Sequence, residues 1–447
     1  MKNNTEYVPS GHFLLGLMAV KTLPQWERDL IRPDMSPQAM SKPYLPQGLK
    51  TAVEKMAAMC LIMDWVYYDE CRPFATLPDG RWIPHSPPDA NLQASGSSGL
   101  PYSPNAERHI IEMLMNHMVD KVRAGDWEQA IRWGGALGHF MQEPFTPGHA
   151  MDNRIFHELF PDPDSSRHKR LHHVFDNASD MFEPLPPRLM GTSVPEAAFR
   201  LQIEIDRGIA EGKKLVPSII QSVYAGLPNL VPRAILAPQC QKASFVTTSA
   251  WHTAISIALE RFDEREKALL PVLDLTQLAP YFWHACQYVD LIPGCLVQNE
   301  KKIPIHVWEK DAGAGKHEAL IEHGFGMGGH MGAKFSVNGD VFPRFQCRVG
   351  LSSRHLEGQT DHTDTRFFVE MDREENRVYS EDMEYHADRI REVQLVPGAP
   401  VCDIDVNIRG ARTLILTTQC QSYKDAAGQI QWDVPHVAVC EPRLLKQ

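Results

Sequence analysis

The chain has 447 residues, 43% hydrophobic and 23% charged, which excludes a globally disordered protein and leaves room for two or more domains with separate cores. Lys+Arg 45 against Asp+Glu 56 gives a formal charge of −11, so broad electrostatic attraction to nucleic acid or anionic membrane is not the default. Nine cysteines, odd in number and without a CxxC pair, exclude a disulfide framework and a thiolate zinc site and read as reduced thiols packed as small apolar groups.

In chain order, Ser10 caps an expected helix that begins at Gly11 and His12, with Leu14, Leu15 and Met18 on its apolar side. Its apolar run, Phe13 to Val20, falls short of the roughly 20 residues that cross a bilayer and has no small-residue cleavage site behind it. No cleavable signal peptide is recognised, so the expected location is the cytoplasm, or export by a signal-independent route. A second helix is expected over 48–67, where Val53, Met56, Cys60 and Met63 recur at helical spacing. From Cys71 to Pro104 proline and glycine break the pattern. Long irregular segments inside a domain are usually functional, and this one carries His85.

Helices are expected again over 105–124 and over 126–143, where Pro144 stops the second. Asp164 or Ser165 opens another, containing His172, and the spacing supports further helices over 195–224, 244–270 and 278–291. Between 293 and 315 the character changes to glycine-rich turns and short alternating runs, RFQCRVGL, RFFVEM, VCDIDVNI and TLILTTQ. That pattern is the mark of a β-sandwich. The expected fold class is multidomain: an all-α domain over 1–300, then a jelly-roll-like β-sandwich over 301–447.

The candidate chemistry is concentrated between Asp126 and Asp176, which holds His139, Glu143, His149, His172 and Asp176. His139 with Glu143, and His172 with Asp176, are spaced i, i+4, so each pair shares one helix face and can reach a common ion. Gly134, Gly135 and Gly138 admit a neighbouring backbone, and Pro144 and Pro147-Gly148 turn the chain so that His149 faces back. Imidazole nitrogen and carboxylate oxygen are the donors of catalytic zinc sites. Trp127, Trp133, Phe140 and Phe145 read as core rather than substrate cage.

His139-x3-Glu143-x5-His149 followed by Leu171-His172-x2-Phe175-Asp176 resembles the signature of the zinc-dependent phospholipase C superfamily, which also contains the single-strand-specific zinc nucleases. The resemblance covers roughly residues 10 to 290 and implies an all-α fold holding two or three zinc ions. It implies further ligands at His12, at the start of the first helix, and at Asp69 and His85. Three departures stand out: Glu143 lies where the family has Asp, no N-terminal Trp precedes His12, and Asp64 and Glu70 lie close to Asp69.

What the resemblance implies is hydrolysis of the glycerol-side phosphodiester of a phospholipid, with Asp69 and Glu143 as catalytic carboxylates and a membrane surface as partner. The runner-up is a zinc nuclease or nucleotidase; the acidic net charge gives it no support, so nucleic acid is not a partner in the leading reading. A third class is a non-catalytic glycan- or membrane-binding protein. The C-terminal part, with GFGMGGHMG, RFQCRVGL and Trp432-Asp433, resembles a carbohydrate-binding module appended to glycosidases, which implies a glycan ligand; its alternative is membrane docking, with Asp361, Asp364 and Asp372 serving calcium.

Overall fold

A computed structural model describes residues 11–31, 49, 51–83, 104–147, 180–228, 230–280, 282–285, 291–298, 301–310, 315–354, 364–373, 387–420, 422–424, 427–432 and 436–446. The chain divides into two compact units, Met1–Ala268 and Leu269–Gln447. The first is helical and the second is built of antiparallel strands, so an all-α domain is followed by a β-sandwich.

The described helices are α1 (Gly11–Thr22), α2 (Gln25–Leu30), α3 (Ala52–Met59), α4 (Pro104–Arg123), α5 (Trp127–Gln142), α6 (Val194–Tyr224), α7 (Leu230–Leu259) and the short α8 (Glu264–Lys267). Thr51 opens α3 with a capping box: its hydroxyl accepts the Glu54 N–H while the Glu54 carboxylate accepts the Thr51 N–H. That cap fixes the start, and Cys60 ends the helix in a turn, so α3 is shorter than the expected 48–67. Pro238 lies inside α7, which therefore begins well before the expected position 244, and Glu260 at φ 51 ends it. Phe140, Trp251, Met56, Ile111 and Leu201 are at most 1% exposed in the shared core of these helices. Phe140 and Phe145 are buried and Trp127 and Trp133 pack against that core, as expected. No described helix is long and apolar enough to cross a membrane.

In the second unit the strands are β1 (Val272–Asp274), β2 (Phe282–Ala285), β3 (Cys295–Gln298), β4 (Lys301–Lys310), β5 (Lys316–Ile321), β6 (Gly324–Met327), β7 (His330–Ser336) and β8 (Arg344–Leu351). They continue with β9 (Thr365–Asp372), β10 (Asp388–Leu395), β11 (Cys402–Asn407), β12 (Thr413–Cys420), β13 (Ser422–Lys424), β14 (Ile430–Trp432) and β15 (Val437–Leu445). One five-stranded sheet runs β1-β15-β8-β11 with β6 also on β15; the other runs β10-β9-β12-β7-β2. β7, β9 and β12 are buried on both faces, with Met331, Ala333, Phe335, Leu414, Ile415, Leu416, Phe367, Phe368 and Val369 all in the interior.

Two expectations change here. The segment read as a helix over 278–291 contains β2, which pairs Phe282 with Lys334 and Ala285 with Met331. Because β1 pairs with β15 and β2 with β7, the sheet unit starts at Leu269 rather than near residue 300. In both cases pairing with strands far along the chain decides the local conformation.

Candidate metal centre

Three helices converge on the site, and glycine lets them do so. Asp126 caps α5 by accepting the Gln129 N–H at 3.3 Å, and α5 runs buried through His139 to Gln142 before Pro144 ends it. A Cβ on Gly135 would lie 2.4 Å from the Met59 Cβ, and one on Gly138 would lie 2.8 Å from Trp251 Cζ2 and 2.9 Å from Cys60 Sγ. On α1, a Cβ on Gly16 would lie 2.9 Å from the same Cys60 Sγ. The closeness of α1, α3 and α5 brings His12, in the first turn of α1, over the C-terminal end of α5.

There His12 Nε2 lies 3.0 Å from Glu143 Oε1, and His139 Nε2 lies 3.2 Å from the same oxygen. The imidazoles stack at a centroid distance of 4.2 Å with 28° between their planes. Among the described residues this trio, with ligand atoms within 4.8 Å of one another, is the one group of three His, Cys, Asp or Glu side chains able to hold an ion. His139 and Glu143 are buried and His12 is half-buried.

The outer nitrogens fix the tautomers. His139 Nδ1 is 2.8 Å from the Cys60 carbonyl, which can only accept, so Nδ1 carries the hydrogen and Nε2 presents a lone pair. His12 Nδ1 is 2.9 Å from Gln142 Oε1, whose amide nitrogen donates to Cys60 Sγ at 3.7 Å, so His12 is held the same way. Two lone pairs then face one carboxylate oxygen, an arrangement that needs a positive charge between them. Without a metal a proton supplies it. Burial works against a charged imidazole, but the hydrogen bond and charge of Glu143, with Asp64 behind it, raise His12 to about 9.

A metal fits better. Bonds of about 2.0–2.2 Å in a tetrahedral zinc site place ligand atoms about 3.3 Å apart, close to the His–Glu separations here, and the donor set is that of zinc. Donation from Nδ1 to a carbonyl or amide oxygen is the usual support of zinc-binding imidazoles.

The expected site residues divide into three groups. His12, His139 and Glu143 are brought together. His85, His149, His172 and Asp176 lie outside the described residues. Asp69, expected as ligand and catalytic carboxylate, stands apart: its side chain is 93% exposed and pairs with Arg72 at 3.3 Å. The carboxylate that reaches the trio from this segment is Asp64, in the turn Ile62–Trp65, with Oδ1 3.9 Å from His139 Nε2. Gln142 and Cys60 were not singled out by the sequence, and only the i+3 spacing of Gln142 from His139 signals a shared face.

In the β-sandwich, Asp361 is outside the described residues, Asp364 accepts from Gln394, and Asp372 is 7% exposed beside the buried Lys334. Burial lowers that ammonium to about 8 while Asp372 and Glu370 hold it up. Asp372 thus already faces a cation, and among the described residues it belongs to no cluster suited to calcium.

No protein-family model matches the sequence, and no curated protein matches it. Solved structures do. The alpha toxin from Clostridium absonum is 9% identical, with 98% of this chain and 94% of that chain covered and a TM-score of 0.29. The Clostridium perfringens alpha-toxin of avian strain SWCP is 9% identical over 96% of this chain and 98% of that one, with a TM-score of 0.31. A CBM51 from Clostridium perfringens GH95, solved with methyl-galactose, is 16% identical over 39% of this chain and 99% of that one, with a TM-score of 0.27. Against the CBM51-2 and INT domains of Clostridium perfringens ZmpB the chain covers 31% of that structure's length, at 13% identity and a TM-score of 0.28. Likenesses of this strength assign neither family nor activity.

Proposed function

We propose that the helical unit is a zinc-dependent phosphodiester hydrolase of phospholipase C type. The observation that carries the metal is the convergence of His12 Nε2 and His139 Nε2 on one oxygen of Glu143, at 3.0 and 3.2 Å. What favours phospholipid over nucleic acid is the resemblance of the segment 139–149 to the phospholipase branch and the net charge of −11.

When bound, zinc would neutralise phosphodiester oxygens and bring the pKa of water toward neutrality. The chain's own groups do the rest. His12, His139 and Glu143 would hold the ion, with Glu143 Oε1 facing the Nε2 atoms of both rings. Asp64, 40% exposed and 3.9 Å from His139 Nε2, is proposed to orient the attacking water and accept its proton. The water oxygen bonds to phosphorus, the glycerol-side P–O bond breaks, and the proton passes to the departing diacylglycerol oxygen, leaving a phosphorylated head group. His85, His149, His172 and Asp176 are proposed to complete a site of two or three ions. The β-sandwich is proposed to dock the enzyme on a membrane or a glycan.

Assay of the purified chain against phosphatidylcholine vesicles, phosphatidylethanolamine vesicles and single-stranded DNA, with and without chelator, tests this reading. Chelator-sensitive release of diacylglycerol supports it. Chelator-sensitive cleavage of DNA alone would move the reading to the nuclease, and no turnover of any substrate by zinc-loaded protein would remove both enzyme readings.

A further inference from the structure

We propose that Cys60 and Gln142 are positioning residues that together fix both zinc-binding imidazoles, Cys60 through its backbone carbonyl to His139 and through its thiol and Gln142 to His12. This rests on the zinc reading of the His12, His139 and Glu143 trio.

The two arms leave one residue. The Cys60 carbonyl accepts the His139 Nδ1–H at 2.8 Å. The Cys60 sulfur accepts from the Gln142 amide nitrogen at 3.7 Å, and Gln142 Oε1 in turn accepts the His12 Nδ1–H at 2.9 Å. Gln142 has two unlike ends, and they have different jobs. Its nitrogen donates to the sulfur, and with the nitrogen so engaged the oxygen is the end turned toward His12.

Cys60 is fully buried and Gln142 is 1% exposed, so water does not compete for either arm. The packing around Cys60 is equally specific. A Cβ on Gly16 or on Gly138 would each lie 2.9 Å from its sulfur. Gly16 is one turn beyond His12, and Gly138 immediately precedes His139. Both ligand-bearing helices therefore close directly on the residue whose carbonyl and sulfur these two arms reach, and the two rings stack at 4.2 Å.

Outer partners of this kind typically contribute about 10- to 100-fold to metal affinity. Gln142→Met keeps length and volume but has no accepting oxygen, whereas Gln142→Glu keeps the oxygen. Zinc affinity, by competition with a chromophoric chelator, and the d–d spectrum after cobalt(II) loading would be measured for wild type and both variants, with circular dichroism to verify folding. The expected result is tight binding by wild type, about 10- to 100-fold weaker binding with an altered cobalt spectrum for Gln142→Met, and intermediate affinity for Gln142→Glu, which keeps the oxygen that accepts from His12 but loses the N–H donated to Cys60 Sγ.

Wild-type affinity and spectrum in folded Gln142→Met would overturn the inference while leaving the zinc site standing. Wild type that takes up neither metal overturns the zinc reading, and this inference with it. Should Gln142→Met not fold, selectively 15N-histidine-labelled, zinc-loaded wild type decides by NMR: the inference expects both ligating rings to carry hydrogen on Nδ1 and bind through Nε2. Ligation through Nδ1 on either ring contradicts it.

Discussion

The rings of His12 and His139 stack at 4.2 Å, although one imidazole stands at the start of the first helix and the other at the end of the fifth. Two imidazoles so close, each with Nε2 on one carboxylate oxygen, tie the N-terminal helix to the centre of the bundle through whatever cation lies between them. On the proposed zinc reading, metal occupancy and the seating of α1 are linked.

Chelation should loosen α1. A ligand present at about 100 times its dissociation constant stabilises the state that binds it by about 2.7 kcal/mol. Removing zinc should lower the melting temperature of the helical unit and increase amide hydrogen exchange over 11–22 more than over α6. Uniform exchange with and without zinc would separate the ion from the helix.

Asp64 and Asp69 should respond oppositely. Asp69→Asn removes an exposed carboxylate paired only with a surface arginine, and activity should stay within about twofold, as surface pairs contribute little. Asp64→Asn should lower kcat by about 100-fold or more if the carboxylate takes the proton from water. Equal loss in both variants would return Asp69 to the mechanism.

Zinc and a proton should compete at the trio. In the metal-free chain Glu143 and Asp64 outweigh burial and raise His12 to about 9, above its ordinary 6.5. Its folded pKa is raised, so the stabilisation it lends the metal-free fold is complete below pH about 6.5 and is lost as pH rises through about 9. Zinc must displace that proton. Calorimetry at pH 7.5 in buffers of different ionisation enthalpy should show about one proton released from this site per ion, and intrinsic affinity at this site should rise about tenfold per pH unit until pH reaches about 9. Affinity independent of pH over that range would mean that His12 is not a ligand.

Gly135→Ala should damage the site from a distance. Its Cβ would lie 2.4 Å from both the Cβ and the backbone oxygen of Met59, so α3 or α5 must shift. Overpacking of this kind costs about 1–3 kcal/mol, and the shift separates Cys60 from His139. Thermal melts should show the loss, and zinc affinity should fall with it. A stable variant with undiminished affinity would mean the helices give way without disturbing the ligands.

The legible part of the site was the part written in local spacing. His139 and Glu143 share a helix face because they are four residues apart, and Pro144 marked the end of the helix that carries them. Asp64 was not distinguishable from Asp69, since the chain leaves α3 in a succession of turns whose register no periodicity fixes. Cys60 and Gln142 act through contacts between residues 82 apart, which a single sequence does not display. The same holds for β2, read as helix from its own residues and set as a strand by β7. The β-sandwich was legible as a class because its alternation is local, while its starting point was not, because β1 pairs with the last strand of the chain.

The central claim is that His12, His139 and Glu143 hold a zinc ion, and zinc content per folded chain tests it most directly. Elemental analysis of zinc-saturated, desalted protein should find at least one zinc in wild type and one fewer in Glu143→Gln, which keeps the shape of the side chain and removes the charge on which both imidazoles converge. Equal zinc in the two folded proteins, or none in wild type, would contradict the account.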